Sequence, residues 1–315
     1  MNNSAPALTR TTAPGSQSAA SPGTVPATGA GMAAQTRTGL GILVGYDGSA
    51  GSERALRWAA RQARACRTVL TVCHAWAPGF PVFADDDEAV LGFARRSGER
   101  VLAEGLRLAR SIMQPADVRP MLTAGLAAAS LCEHSREAAM VVTGARGQGG
   151  MPALLLGSVS EHIAAHARGP VVVVRGHWLP AADFGRGAVV VGADGSPDSA
   201  AAAGFAFDQA ALWDVPVLAV CALADAPGRL ADARACREGF EQTITEALET
   251  HPEVTVHRSV VPGGARTALL SACRDAQLIV VGSRGRGGIK GMPLGTVSQA
   301  VLHHAPCPVA IVRPR

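Results

Sequence analysis

The residues best suited to chemistry in this chain occur as two matching sets. Gly144-Ala-Arg-Gly147 is followed, after nine residues, by Gly157-Ser158; Gly282-Ser-Arg-Gly285 is followed, again after nine, by Gly295-Thr296. Upstream, Val44-Gly-Tyr-Asp47-Gly-Ser49 is matched by Val191-Gly-Ala-Asp194-Gly-Ser196. The aspartates lie 147 residues apart and the glycine loops 138. Gly144, Gly147, Gly282 and Gly285 permit positive φ and a close approach of the backbone to a ligand. A Gly157-Ser158 or Gly295-Thr296 step that opens a helix offers unpaired amide N–H groups and a positive dipole end, which together make an anion site. The Ser158 or Thr296 hydroxyl adds a hydrogen bond to a phosphate, and Ser160 and Ser298 fall in the same first turn. For one copy alone, a turn with a capping hydroxyl is an equally good reading. Two copies with identical spacing, each with its aspartate motif, favour phosphate capture.

These loops need rigid elements to hold them. Apolar runs at Leu40 to Tyr46, Val69 to His74, Asp117 to Leu122, Met140 to Thr143 and Val171 to Val174 read as strands. Helical patterns cover Ser52 to Ala65, a stretch from the acidic run Asp85 to Glu88 to about Met113, Ala127 to Glu137, and Ser158 to His166. The second half repeats the order. Its strands lie near 188–193, 217–221, 254–261, 278–281 and 309–312, and its helices near 198–213, 230–250, 266–275 and 296–303. Uniformly apolar strands separated by helices predict α/β architecture: two tandem, open, doubly wound domains, each a five-stranded parallel sheet with helices on both faces. Ligands on such sheets sit beyond the carboxyl ends of the strands, and both motifs fall there. The predicted organisation is a first domain over 39–176, a linker over 177–185 and a second domain over 186–315. Residues 1–38, rich in Ala, Ser, Thr, Pro and Gly, are expected to be a disordered tail.

Bulk composition limits the function classes. A chain of 315 residues suits two domains. Its net charge is +4, and Lys290 is its only lysine. With no dense basic run, nucleic acid is not an expected partner. No uninterrupted apolar stretch reaches membrane-spanning length, so no membrane partner is expected either. The seven cysteines form no C-x-x-C pair and their number is odd, which reads as reduced thiols in a cytoplasmic protein.

The loops are neither a P-loop, since G-x-x-x-x-G-K-[ST] is absent, nor a G-x-G-x-x-G fingerprint after the first strand. The chain resembles the universal stress protein family in tandem form. That family's nucleotide-binding subgroup is marked by G-x-x-G, nine residues, G-[ST], and both copies here match it. The resemblance implies that Gly144, Gly147, Gly157, Ser158, Val159 and Ser160 hold the ribose and phosphates of ATP in one site. Gly282, Gly285, Gly295, Thr296, Val297 and Ser298 would do so in the other. It further implies that Asp47 and Asp194 face the adenine and ribose, and that backbone at Ala75 and Ala222 reads the adenine edge. His74-Ala-Trp76 looks like the family's strand ending, whereas Cys221-Ala-Leu223 departs from it.

The expected role is that of an ATP-binding, nucleotide-responsive stress or regulatory protein, with Mg2+ as a possible companion ion. The alternatives are a weak ATPase or phosphotransferase and a nucleotide-free interaction scaffold. No catalytic residue is assigned. His162 and His166 have metal-compatible spacing but no visible third ligand, and a solvated helix face is the simpler reading. The terminal strands Val171 to Val174 and Val309 to Val312 are expected to pair, either between the two domains or between two chains in a homodimer. A protein partner is expected but not identified. Arg286 and Lys290, set against Gln148 and Leu154, predict tighter triphosphate binding in the second site.

Overall fold

A computed structural model describes residues 39–77, 87–148, 156–175, 187–223, 230–287 and 291–314. The tail 1–38, the linker 177–185, the loop 78–81, the start of the acidic run at Asp85 and the loop residues Leu154 and Lys290 lie outside the described residues.

The first half runs β1 (Gly41–Gly45), α1 (Ala50–Ala65), β2 (Leu70–Trp76), α2 (Asp87–Arg110), β3 (Val118–Ala124), α3 (Ala127–His134), β4 (Ala138–Gly144), α4 (Ser158–His166) and β5 (Val171–Val174). The second half repeats it as β6 (Val189–Gly192), α5 (Pro197–Trp213), β7 (Val217–Leu223), α6 (Leu230–Thr250), β8 (Val256–Pro262), α7 (Ala265–Ala272), β9 (Leu278–Gly282), α8 (Thr296–His304) and β10 (Val309–Val312). A one-turn 3-10 helix at Pro115–Asp117, which the apolar pattern does not reveal, leads into β3.

Local chemistry accounts for the boundaries. Ser49 caps α1 by accepting from the Ser52 amide, and Ser196 caps α5 by accepting from the Ser199 amide, with Pro197 as its first helical residue. These are the serines of the two D-G-S strings, so the motif that ends a strand also starts the next helix. Strands such as Val171–Val174 are β-branched throughout and buried throughout, as expected where both faces of a parallel sheet are covered.

The strand order is β3-β2-β1-β4-β5-β10-β9-β6-β7-β8. Each half is therefore a parallel five-stranded doubly wound sheet in the order 3-2-1-4-5, and the halves join through one antiparallel pair, β5 with β10. The register places Val172 opposite Ala310, residues that correspond in the repeat, so a pseudo-two-fold axis passes between them. Of the two expected modes, pairing within one chain is the one observed.

One core lies on each face of the ten-stranded sheet and crosses both halves. On one face Ile42, Val44 and Val172 pack with Trp58 of α1, Phe207 of α5 and Phe240 of α6. On the other, Leu43, Val173 and Val309 pack with Leu131 of α3, Ile163 of α4 and Val301 of α8. At the centre of the first core Gln62 donates to Gln209 Oε1 at 2.6 Å and accepts from Trp213 Nε1 at 3.0 Å, joining α1 to α5. Both glutamines are fully buried, so these bonds satisfy groups that would otherwise be costly to hold away from water.

Candidate functional site

Two cavities open at the carboxyl ends of the central strands, one per half. The first, about 310 Å³, is lined by Asp47, Ala75, Gly144, Gly147, Gly157, Ser158, Val159 and Ser160, among others. The second, about 260 Å³, is lined by Asp194, Ala222, Gly282, Gly285, Gly295, Thr296, Val297 and Ser298, among others. Every residue that the resemblance assigns to nucleotide binding therefore lies on a cavity wall, and each set lines a single cavity. Ala222 takes the same place as Ala75, so the departure at Cys221-Ala-Leu223 leaves that wall in position.

The aspartates act first on the protein itself. Asp47 Oδ1 accepts from the Ser49 amide at 3.0 Å, and Oδ2 accepts from the Gln148 amide at 2.9 Å. Asp194 repeats this with the Ser196 and Arg286 amides at 3.0 and 2.9 Å. Each carboxylate thus clamps the glycine loop to the end of the first strand of its half. Burial pushes the Asp47 carboxyl up, but the hydrogen bonds from Ser49, Gln148 and Ser52 together outweigh it and hold its pKa below the ordinary 3.8.

That clamp explains the second glycine of each loop. A Cβ on Gly147 would stand 2.4 Å from Asp47 Oδ2, and one on Gly285 would stand 2.6 Å from Asp194 Oδ2. The first glycine meets the helix behind it: a Cβ on Gly144 would fall 2.5 Å from the Gly51 backbone, and one on Gly282 would fall 2.7 Å from Asp198 Cβ.

The two serines of each helix start differ in use. Ser160 is buried and donates to Gly144 O at 2.5 Å; Ser298 donates to Gly282 O at 2.6 Å. They tie the helix to the strand end. Ser158 and Thr296 are first helical residues, while Gly157 and Gly295 are the N-caps and supply no capping side chain. The capping-hydroxyl reading is thereby excluded. Each helix meets its cavity with first-turn amides that no capping side chain covers, together with a dipole end suited to an anion.

Several wall residues escaped the sequence reading. Arg146 and Arg284 line the two cavities. Their signal was available, since the same arginine stands at the same loop position in both copies. Leu131 and Leu269 form apolar wall opposite the glycine loops, and only the fold reveals them. The Arg286 guanidinium donates to Asp194 O and Ala235 O at 3.5 and 3.1 Å. It therefore secures α6 to the loop, while Arg286 also lines the second cavity. Nearby, Asp198 accepts from Ser283 Oγ at 2.6 Å and from the Arg284 amide at 3.1 Å. The first half has Gly51 and Ala145 in those places.

His166 Nδ1 bonds His162 O, and the two rings stack at 4.3 Å. Among the described residues no cluster of three or more His, Cys, Asp or Glu could hold a metal ion, and no helix is long and apolar enough to cross a membrane.

Comparison with known proteins finds matches to both halves. A family model described as the universal stress protein family matches residues 41–175 and again residues 186–313. A universal stress protein of Mycolicibacterium smegmatis is 38% identical over 298 residues, 89% of this chain and 99% of its own length. One from Mycobacterium tuberculosis is 35% identical over 313 residues, 90% of this chain and 97% of its own. Among solved structures, a universal stress protein from Archaeoglobus fulgidus superposes with a TM-score of 0.65 at 21% identity, covering 87% of this chain and 96% of that one; this likeness concerns the fold.

Proposed function

The chain belongs to the universal stress protein family, and from that premise we propose that each half binds one adenine nucleotide, ATP, in a nucleotide-responsive stress or regulatory role. The observation that carries this reading is the twice-built helix start: a glycine N-cap without a capping side chain, facing a cavity whose glycine loop is held open by an aspartate. A triphosphate fits the exposed amides and the positive dipole end. The ribose and base fit the remaining wall between Asp47 and Ala75, or between Asp194 and Ala222. A Mg2+ ion would enter on the phosphates, because both oxygens of each aspartate already accept amide hydrogens.

Holding is favoured over turnover for the same reason. The oxygens of each carboxylate already bind two amides, and the pKa of Asp47 is held low, which makes it a poor general base. The regulatory consequence would come from ordering of the glycine loop by phosphate. A cytoplasmic location is supported by seven cysteines without a disulfide among them.

Mass spectrometry of the natively purified chain, followed by calorimetric titration with ATP, tests the assignment. Two equivalents of nucleotide per chain are expected. A chain that arrives empty and takes up none at millimolar ATP would reject it.

A further inference from the structure

Each helix that begins at one cavity ends against an arginine from the other half. Arg175, which follows β5, donates to Leu302 O near the end of α8. Arg313, which follows β10, donates to Ala164 O and, at 2.8 Å, to Ala165 O near the end of α4. The two arginines correspond in the repeat, as do Ala164 and Leu302. The accepting carbonyls are among those that a helix C-terminus leaves without an intrahelical partner. Their neighbours one residue earlier are used otherwise: Ile163 O takes the Ala167 amide, and Val301 O takes the Ala305 amide.

The crossing follows from the antiparallel seam. Val173 pairs with Val309, so continuing that register places Arg175 opposite Cys307, in the segment that leads from α8 to β10. By the same register Arg313 stands opposite Gly169, in the segment that leads from α4 to β5. A strand that ran parallel across this seam would carry its arginine away from the neighbouring helix end. Both guanidiniums are partly buried, and burial pulls their pKa values down from the ordinary arginine value; arginine nevertheless stays charged. A fixed cation at a helix C-terminus complements the dipole whose positive end lies at the cavity.

We propose that Arg175 and Arg313 are positioning residues acting across the seam: Arg175 fixes the helix of the second nucleotide site and Arg313 that of the first. Each site is then assembled from both halves. Seating one helix depends on the other half's strand end, so neither half alone holds its phosphate-binding turn in place. This rests on the nucleotide reading for its functional consequence, but its structural part has a readout of its own.

The test uses the full chain with one site disabled at a time. Gly147→Val leaves only the second site and Gly285→Val only the first. On the Gly147→Val background, Arg175→Met should weaken ATP binding about three- to tenfold, the effect of a lost helix-terminal cation, while Arg313→Met should leave it unchanged. On the Gly285→Val background the pattern should invert. Arg175→Lys and Arg313→Lys should restore most of the affinity. In the nucleotide-free chain, Arg175→Met should raise hydrogen exchange across α8 and not α4, and Arg313→Met the reverse. Losses on an arginine's own half, equal losses at both sites, or no change would overturn the proposal. If neither single-site parent binds ATP, the nucleotide reading fails, and the exchange pattern still decides the crossed positioning by itself. A variant that does not fold shows itself in the same exchange data as loss of protection everywhere, which also counts against a local positioning role.

Discussion

At the scale of single residues, the loop glycines are required by what lies beside them. A side chain at position 147 or 285 would displace the aspartate that holds the loop, because its Cβ would meet the carboxylate oxygen well inside van der Waals contact. Gly147→Val should therefore reduce ATP stoichiometry from two to one per chain in calorimetry, and the double variant with Gly285→Val should bind none. The clamp is also pH-dependent. Since the folded-state pKa of Asp47 lies below 3.8, its contribution is fully present above that value and is lost as pH falls through the lower, folded value. Hydrogen exchange at the Gln148 amide, followed from pH 6 downward, should stay protected until the solution passes below about pH 4 and then rise. Exchange that already rises between pH 6 and 5 would show that the carboxylate does not hold the loop.

At the scale of elements, the decisive feature is a helix start whose first amides face a cavity. Proline tests it selectively. Gly157 is extended at φ −83° and ψ 150°, and Gly295 at −74° and 157°, which is the conformation a residue preceding proline prefers. Proline is also tolerated as the first helical residue. Ser158→Pro should thus fold normally, with a melting temperature within a degree or two of the parent, yet lose an amide donor and a hydroxyl. A charge-assisted hydrogen bond is worth about 1.5–3 kcal/mol, so ATP affinity at that site should fall by a factor of about ten or more. Unchanged affinity would place the phosphates elsewhere.

Much of this element-level picture was legible from the chain itself. The β-branched run Val171–Val174, the helix Ser158–His166 and the strand-end position of both loops needed only periodicity and the repeat. The strand ends at Trp76, Leu223 and Pro262 run farther than the apolar pattern suggested, because ladder bonds to the neighbouring strand continue past the last buried residue. What the sequence hid depends on contacts distant along the chain. Asp47 reads as a ligand group until its partner at Gln148 is known, and Arg175 carries no signal of its own until Leu302 is found beside it.

At the scale of the whole molecule, the two halves share both cores and a buried polar junction. Gln62 is bonded to Gln209 and Trp213 at once. Replacing it by alanine removes both of these buried hydrogen bonds, at about 0.5–1.5 kcal/mol each, and opens a cavity. Gln62→Ala should lower the melting temperature by several degrees while the chain still unfolds in one calorimetric transition, because each face carries a core common to both halves. Two separated transitions would show that the seam is only a weak contact.

The antiparallel seam between β5 and β10 has an evolutionary corollary. In an assembly of identical polypeptides every substitution appears on both sides of the dyad, so neither pocket can drift away from its twin. Here a covalent link supplies the two lobes in fixed one-to-one ratio, and that constraint is gone. The close approach of Gly51 to the Arg146 backbone in one lobe and the hydrogen bond from the Arg284 amide to Asp198 in the other are what such freedom leaves behind: equivalent positions, solved once by close backbone approach and once by a carboxylate.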